Sequence, residues 1–171
     1  MIRNDTTFVI VGLGLLGGSY AMGLKEAGYR VLGVARRQET IDHALAHHMI
    51  DAGTLDPEAF LDQADIVVFA LYPHIMIDWI HEHQNAFRPG TLLTDVSGVK
   101  VNVADKVQSF LRDDVEFIAA HPMAGRESSG IEYANTEMFH DANYIIIPTE
   151  KNTKEAVETS RQLAEILQFH H

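Results

Sequence analysis

A cluster of glycines near the start of the chain has the spacing of a phosphate-binding turn. Gly12, Gly14 and Gly17 form a G-x-G-x-x-G motif directly after the apolar residues 8–11. Such glycines permit a tight turn, close approach of the backbone to a pyrophosphate and close packing of a helix on a strand, and the helix N-terminus attracts the phosphates. The alternative is a glycine-rich turn in another kind of α/β domain. The residues predicted to contact a dinucleotide are Gly12, Leu13, Gly14, Leu15, Leu16 and Gly17.

The residues after the second apolar run, 30–34, bear on which dinucleotide is bound. An NAD-binding domain usually carries Asp or Glu at the end of this strand, where it bonds the ribose 2′-hydroxyl. Here that position is Ala35, and Arg36 and Arg37 follow it. A guanidinium pairs with a 2′-phosphate that a carboxylate would repel. The sequence therefore predicts NADP as the preferred cofactor over NAD, unless both arginines are simply solvated surface residues.

The apolar residues 65–71 are followed by a tyrosine and a proline. Pro73 is predicted to start a helix, because its missing N–H costs nothing at the first helical position. Leu71, Tyr72 and Pro73 are candidate cofactor contacts on the adenosine or nicotinamide side. Simple packing at the strand end is the alternative for Leu71 and Tyr72.

Small polar residues follow the next apolar run, residues 91–94. Asp95, Ser97 and Lys100 suit contact with a ribose, a nicotinamide amide or a substrate oxygen. An N-cap or turn role for Ser97 is the alternative.

A single histidine follows the apolar residues 116–120. Imidazole is the usual group for proton transfer near neutral pH, and oxidation of an alcohol requires the hydroxyl proton to leave as the hydride departs. His121 is therefore the candidate catalytic base, with a structural histidine as the alternative. The polar loop after it supplies the candidate substrate-binding residues Gly125, Arg126, Glu127 and Ser128.

The elements that must position these clusters alternate along the chain. Six apolar runs, at residues 8–11, 30–34, 65–71, 91–94, 116–120 and 144–147, are mostly continuous, which is typical of strands buried on both faces of a parallel sheet. Helical spacing lies between them, as in the stripes Leu16, Tyr20, Leu24 and Ile41, Leu45, Met49. The pattern predicts a doubly wound, mostly parallel α/β sheet of the Rossmann type, formed by one dinucleotide-binding domain over residues 1–171.

The composition indicates which kinds of binding partner and which cellular compartment to expect. The chain has 171 residues with 13 Lys and Arg against 24 Asp and Glu, a formal charge of −11, and no Cys. An acidic chain argues against nucleic acid or an anionic membrane as a partner. The apolar runs are too short to span a bilayer, and no signal-peptide cleavage site is evident at the start. We expect a cytoplasmic protein with a small-molecule substrate, and the remaining histidines show no spacing typical of metal ligands.

Three motifs together resemble the prephenate dehydrogenase family of tyrosine biosynthesis. They are the glycine motif continued to Ser19, the segment 95–100, and the His-Pro-Met-Ala-Gly segment 121–125, which is the most specific. The resemblance implies oxidative decarboxylation of prephenate to 4-hydroxyphenylpyruvate, with hydride transfer to the nicotinamide and loss of CO2 that aromatises the ring. It implies that His121 bonds the 4-hydroxyl and removes its proton. It also places a serine that lies near the hydroxyl and the nicotinamide at Ser97 and Gly98, which makes Ser97 a second candidate catalytic residue. A loop glutamate that shapes and gates the substrate site corresponds to Glu127.

The chain departs from the family pattern at three points. Ser97 and Gly98 stand in the reverse of the usual Gly-Ser order, which displaces the hydroxyl, and Ala35 replaces an Asp found in many members. The family also continues into a helical domain that forms the dimer and supplies Arg and His ligands for the substrate carboxylates. That domain is absent from these 171 residues. We therefore expect the cofactor-binding half of a protein that is a homodimer at full length.

Other functions remain open from the sequence. Arogenate, with an amino group in place of the keto side chain, is the close variant substrate. A different nicotinamide-dependent dehydrogenase of small hydroxy acids is a second enzymatic alternative. A dinucleotide-binding module without turnover is an alternative of another class.

Overall fold

The computed structural model describes residues 1–98, 102–124 and 130–170. Strands and helices alternate along them, as the sequence predicts. The strands are β1 (Thr7–Val11), β2 (Arg30–Val34), β3 (Ala52–Thr54), β4 (Ile66–Phe69), β5 (Leu92–Asp95), β6 (Glu116–Pro122) and β7 (Tyr144–Ile147). The α-helices are α1 (Leu15–Glu26), α2 (Gln38–Ala46), α3 (Pro73–His83), α4 (Val103–Phe110) and α5 (Lys154–Ile166).

The strands form one sheet in the order β3-β2-β1-β4-β5-β6-β7. All neighbouring pairs are parallel except β6 and β7, which are antiparallel. The predicted doubly wound, mostly parallel sheet is therefore confirmed. The chain runs outward from β1 to β3, returns to β4, and continues in the opposite direction. This reversal opens a crevice at the carboxyl ends of β1 and β4, where such folds bind ligands.

Both faces of the central strands are buried, which is why their sequences are continuously apolar. In β1, Phe8 and Ile10 join one core layer, and Val9 and Val11 join the other. Helices α1, α2 and α5 cover the first layer, and α3 and α4 cover the second. Burial of each large apolar side chain stabilises the fold by roughly 1.5–3 kcal/mol.

Strand β3 is missing from the six predicted runs. Its three residues, Ala-Gly-Thr, contain too little apolar surface to stand out. Tertiary contacts form it instead: Ala52 pairs with Leu32 of β2, and the Asp51 carboxylate accepts the Val31 N–H at 2.8 Å. The packing is tight, because a Cβ on Gly53 would lie 2.6 Å from Ile41 Cγ2.

The predicted stripe Ile41, Leu45, Met49 is wrong at its second and third members. Helix α2 ends at Ala46, and His48 adopts a left-handed conformation with φ of 56°. Met49 therefore reaches the core from the turn after the helix, whereas Leu45 is 41% exposed.

Two strand ends differ from the prediction in ways that shape the site. Strand β4 ends at Phe69, before the predicted residue 71, and Pro73 then starts α3 as expected. Strand β6 continues past residue 120 to Pro122, so His121 lies inside the strand, where it pairs with Ile145 of β7. In the described part of the chain, none of the helices combines the length and the apolar character needed to cross a membrane.

Two tyrosines contribute phenols to the core beside the ends of these strands. Tyr20 of α1 and Tyr144 of β7 are 0% and 5% exposed, respectively. Burial raises the pKa of Tyr144 to about 12; the Ser160 hydroxyl, 3.3 Å away, opposes this rise and the Asp95 carboxylate adds to it. Burial likewise raises the pKa of Tyr20, with Tyr144 and Asp95 adding to the effect.

These raised pKa values predict loss of stability in alkali. An unfolded phenol ionises near pH 10, while folded Tyr144 keeps its proton up to about pH 12. Its contribution is therefore fully present below pH 10 and is lost as the pH rises to 12. The rise in pKa of Tyr144 corresponds to roughly 3 kcal/mol.

Urea unfolding at pH 9, 10 and 11 should show a smaller fall in the free energy of unfolding for Tyr144→Phe than for wild type. The exposed Tyr133→Phe is the matched control, and equal falls in all three proteins would contradict the prediction.

Candidate active site

The glycine turn after β1 is pressed against the end of β4. The Gly12 N–H donates to the Val34 carbonyl at 2.9 Å, and Gly12 has φ of 94°. A Cβ at this position would lie 2.5 Å from the Ala70 carbonyl oxygen. Glycine is therefore required for both conformation and space, as the motif predicts.

Helix α1 starts in contact with this turn. A Cβ on Gly17 would lie 1.8 Å from the Gly12 carbonyl oxygen, so the helix approaches as close as a backbone can. Gly14 is the N-cap and provides no side-chain cap, and the first turn of the helix contains no acidic residue. The first N–H groups of an α-helix have no partner within it, so this end offers donors and positive potential to an anion.

The three leucines of the motif differ in burial and therefore in role. Leu13 and Leu15 are buried, and Leu13 Cδ1 lies 2.8 Å from where a Cβ of Gly33 would stand. Leu16 is half-buried and lines the cleft described below. The side chains of Leu13 and Leu15 therefore support the turn, while its backbone faces the crevice.

The end of β2 presents two arginines to solvent. Ala35 is buried, and its N–H donates to the Thr54 carbonyl at 3.1 Å. Arg36 and Arg37 are exposed, and Arg37 Nε lies 3.4 Å from Glu39 Oε1. Arg36 takes part in no ion pair among the described residues. Its guanidinium is therefore available at the strand end where a 2′-substituent of a ribose would be sensed.

The two candidate cofactor contacts after β4, Leu71 and Tyr72, lie in different environments. Leu71 Cδ2 lies 3.1 Å from the position of a Gly12 Cβ, so Leu71 packs on the glycine turn at the crevice. Tyr72 is 53% exposed, and its ring stacks near His74 with centroids 6.4 Å apart. Pro73 is the first residue of α3.

The polar residues at the end of β5 are buried. Asp95 is 0% exposed, and its Oδ1 accepts the Ala120 N–H at 3.1 Å, so it faces the interior rather than the crevice. Ser97 is 4% exposed, and its Oγ donates to the Leu71 carbonyl at 3.5 Å. The bonds seen for both residues are within the protein, and their contacts with a cofactor or substrate stay predictions. Lys100 lies outside the described residues.

His121 and the glycine-loop helix line one cleft of about 310 Å³. His121 is half-buried and lines the cleft. Its backbone is fixed within β6, where it pairs with Ile145 of the antiparallel β7. The cleft is lined by Leu16, Val96, Gly98, His121, Pro122, Met123 and Ala124.

Some lining residues were not among the predicted contacts. Val96, Gly98, Met123 and Ala124 lie beside predicted residues, but apolar or small side chains at strand ends give no chemical signal in a sequence. The predicted substrate-binding residues Gly125, Arg126, Glu127 and Ser128 lie outside the described residues.

A larger cleft, of about 640 Å³, lies at the opposite edge of the sheet, where β4, β5 and β6 begin. Its lining includes the carboxylates of Asp65, Asp114, Glu116 and Glu155. Arg3 and Met1 also line it, and Asp65, Asp114 and Glu155 are each paired with a cation. This cleft is remote from the glycine turn and from His121, so size alone does not identify the site.

Histidines elsewhere do not gather into a metal site. Within residues 1–98, 102–124 and 130–170, no group of three His, Asp or Glu side chains could hold a metal ion. His83, for instance, is engaged with Glu58 through its Nδ1 at 2.7 Å.

The sheet reversal and the glycine turn define the class, a Rossmann-type nucleotide-binding domain. The sequence model for "Prephenate dehydrogenase, nucleotide-binding domain" matches residues 20–170, and the chain belongs to the prephenate dehydrogenase family. The family indicated by the sequence motifs is thus confirmed, although the matched range begins after the glycine motif.

Relatives and solved structures agree with this assignment. Prephenate dehydrogenase of Bacillus subtilis is 31% identical over 166 residues, which cover 95% of this chain and 45% of that protein. The structure of Synechocystis arogenate dehydrogenase is 29% identical with a TM-score of 0.87, covering 96% of this chain and 58% of that one. Prephenate dehydrogenase from A. aeolicus, in complex with hydroxyphenyl propionate and NAD+, is 25% identical with a TM-score of 0.88, covering 98% and 59%. The chain therefore spans about half the length of the relatives it matches.

The contact between Gly17 and Gly12 predicts a selective loss of cofactor binding. Gly17→Ala places a methyl group against the Gly12 carbonyl oxygen and must displace the turn from the helix. In Gly18→Ala, the matched control, the new methyl meets the side chains of Met49, Ile131 and Ala134 at 3.1 Å and leaves the turn alone. Calorimetric titration with NAD and NADP should show affinity reduced about tenfold or more for Gly17→Ala and about twofold at most for the control. Circular dichroism checks folding, and wild-type affinity in folded Gly17→Ala would contradict the prediction.

Proposed function

We propose that this chain is the cofactor-binding half of a prephenate dehydrogenase, which converts prephenate to 4-hydroxyphenylpyruvate and CO2 with reduction of NAD(P). One observation above all supports this function: Leu16 of the glycine-loop helix and His121 line the same cleft. A proton acceptor and a phosphate-binding helix on one cleft are the two parts that alcohol oxidation with a dinucleotide requires.

The described residues fit a dinucleotide. The space at Gly12 and Gly17 is closed to any side chain, and the start of α1 offers uncapped N–H groups and no carboxylate. We propose that the backbone of residues 12–17 holds the pyrophosphate and that Leu71 borders the nucleotide. When bound, the nicotinamide supplies the hydride acceptor for the oxidation.

His121 carries the proton chemistry in this proposal. Its imidazole accepts the proton of the substrate 4-hydroxyl as the carbon that bears this hydroxyl loses hydride. Loss of CO2 then makes the ring aromatic, and the resulting phenolate takes the proton back to form the hydroxyl of the product. The β6–β7 pairing restrains the imidazole before substrate arrives, which lowers the cost of orienting it. Ser97, buried against the Leu71 carbonyl, supports the strand ends around the histidine.

NADP is the cofactor we propose to be preferred. Ala35 removes the carboxylate that would bond a 2′-hydroxyl and repel a 2′-phosphate. Arg36 is exposed beside it and, among the described residues, has no carboxylate partner to displace.

Arogenate is the second candidate substrate, because the Synechocystis arogenate dehydrogenase structure is as similar to this chain as the prephenate enzymes are. Parallel assays with prephenate and arogenate separate the two. The family's remaining length would supply the ligands of the substrate carboxylates and the contacts of a homodimer, and we propose that the complete protein resides in the cytoplasm.

Arg36→Asp should shift cofactor preference toward NAD. The new carboxylate can accept the ribose 2′-hydroxyl and repels a 2′-phosphate. We expect the ratio of NADP to NAD affinity, measured by calorimetry, to fall about tenfold or more. Arg30→Asp, at the other end of the same strand, is the matched control and should leave the ratio unchanged. Tighter binding of NAD than of NADP by the wild-type chain would refute the proposed preference.

His121→Asn should abolish turnover and spare cofactor binding. Asparagine has similar size but cannot take up the hydroxyl proton. NADPH formation at 340 nm with prephenate, measured on this chain and on a form extended to the length of its relatives, should fall about 100-fold or more. The exposed His140→Asn is the control. Loss of NADP affinity in His121→Asn would instead indicate a structural histidine, and inactivity of both wild-type forms would count against the dehydrogenase itself.

A further inference from the structure

Asp95 is a buried carboxylate that the proposed chemistry does not use. It is the last residue of β5 and is 0% exposed. Burying a carboxylate is costly unless its oxygens accept hydrogen bonds, so such a residue in the core of a sheet calls for an explanation. It lies on the strand next to β6, the strand that contains His121.

The backbone pairing of β5 with β6 stops just before this point. The register runs from Leu92 with Glu116 to Thr94 with Ile118 and goes no further. Beyond it, the Asp95 Oδ1 accepts the Ala120 N–H at 3.1 Å. The side chain therefore continues the attachment of β6 to β5 up to the residue that precedes His121.

The other edge of β6 is held by backbone pairing. Ala120 lies opposite Ile146 and His121 opposite Ile145 in the antiparallel ladder. The strand is thus held from β7 through its backbone, and the Asp95 carboxylate holds it from β5. Removing that carboxylate removes a hydrogen bond next to the residue that presents its imidazole to the cleft.

Two buried phenols interact electrostatically with the same carboxylate. Tyr20 belongs to α1, the glycine-loop helix, and Tyr144 to β7, opposite Pro122. Asp95 adds to the rise in pKa of both phenols after burial itself, which places the three polar groups in one buried cluster. The cluster joins the helix that would bind the cofactor to the strands that hold His121.

We propose that Asp95 is a positioning residue for His121, which it holds in the cleft through its hydrogen bond to the Ala120 N–H. The catalytic consequence rests on the proposed function, whereas the positioning itself does not. A residue that merely stabilised the fold would affect all of β6 equally; a positioning residue affects the end of the strand selectively.

The test measures that selectivity in the 171-residue chain. Hydrogen exchange of the Ala120 and Ile118 amides and the ring resonances of His121 are recorded by NMR for wild type, Asp95→Ala and Asp95→Asn. The control is Thr91→Val, which removes the Thr91 hydroxyl's bonds to the Ala64 and Arg88 carbonyls at the opposite end of the sheet.

In Asp95→Ala, we expect exchange at Ala120 to accelerate about tenfold or more relative to Ile118 and the His121 ring signals to shift or multiply. Asp95→Asn should restore both, because its carboxamide oxygen accepts the same N–H. Thr91→Val should lower stability without a selective change. Proportionate exchange at both amides in Asp95→Ala, as in the control, would overturn the proposal.

If Asp95→Ala does not fold, Asp95→Ser takes its place, since it keeps a polar side chain but is too short to accept the Ala120 N–H. Selective acceleration of exchange at Ala120 in that variant supports the proposal, and proportionate exchange at Ala120 and Ile118 overturns it. In the extended form, Asp95→Ala should lower kcat with an unchanged KM for the cofactor, and Asp95→Asn should recover kcat. If wild type oxidises no prephenate, the proposed function fails while the exchange data still decide the role of Asp95.

Discussion

The rest of the structure depends on one constraint: backbone segments approach each other very closely at the turn after β1. Gly12 turns against the Ala70 carbonyl, and Gly17 brings α1 against Gly12, with no space for a side chain at either contact. Because β1 and β4 are the strands between which the chain reverses direction, this turn lies where the crevice opens. The helix start, the crevice and the neighbouring strand ends are all placed by this one approach.

His121 is positioned by a different device. It lies two strands beyond β4, inside β6, and lines the cleft together with Leu16 from the first turn of α1. The antiparallel β7 extends β6 past its parallel partner, and Asp95 replaces the missing backbone pairing on the other side. A strand that projects beyond the sheet needs support at both edges if its last side chains are to act with fixed geometry.

Acidic and basic groups are distributed unevenly between the two ends of the strands, which the net charge of −11 does not reveal. The cleft where the strands begin is lined by more carboxylates than cations: Asp65, Asp113, Asp114, Glu116 and Glu155 against Arg3 and the amino group of Met1. At the opposite edge, the start of α1 carries no acidic residue, and Arg36 is exposed after β2. An acidic protein can therefore bind an anion, since local dipoles and a few cations outweigh distant charges that solvent and salt screen.

The sequence by itself determined the doubly wound sheet, the glycine turn, the family and the position of His121 along the chain. These follow from local properties: two-sided burial requires continuous apolar runs, and a backbone contact requires glycine. Tertiary structure alone decided that three residues pair as β3, that β6 continues through His121, and that Asp95 and Ser97 face the interior. Where a strand ends, and how the side chains at and after its last residue are directed, depends on neighbouring strands that are distant in the sequence, because the fixed alternation holds only within the paired strand.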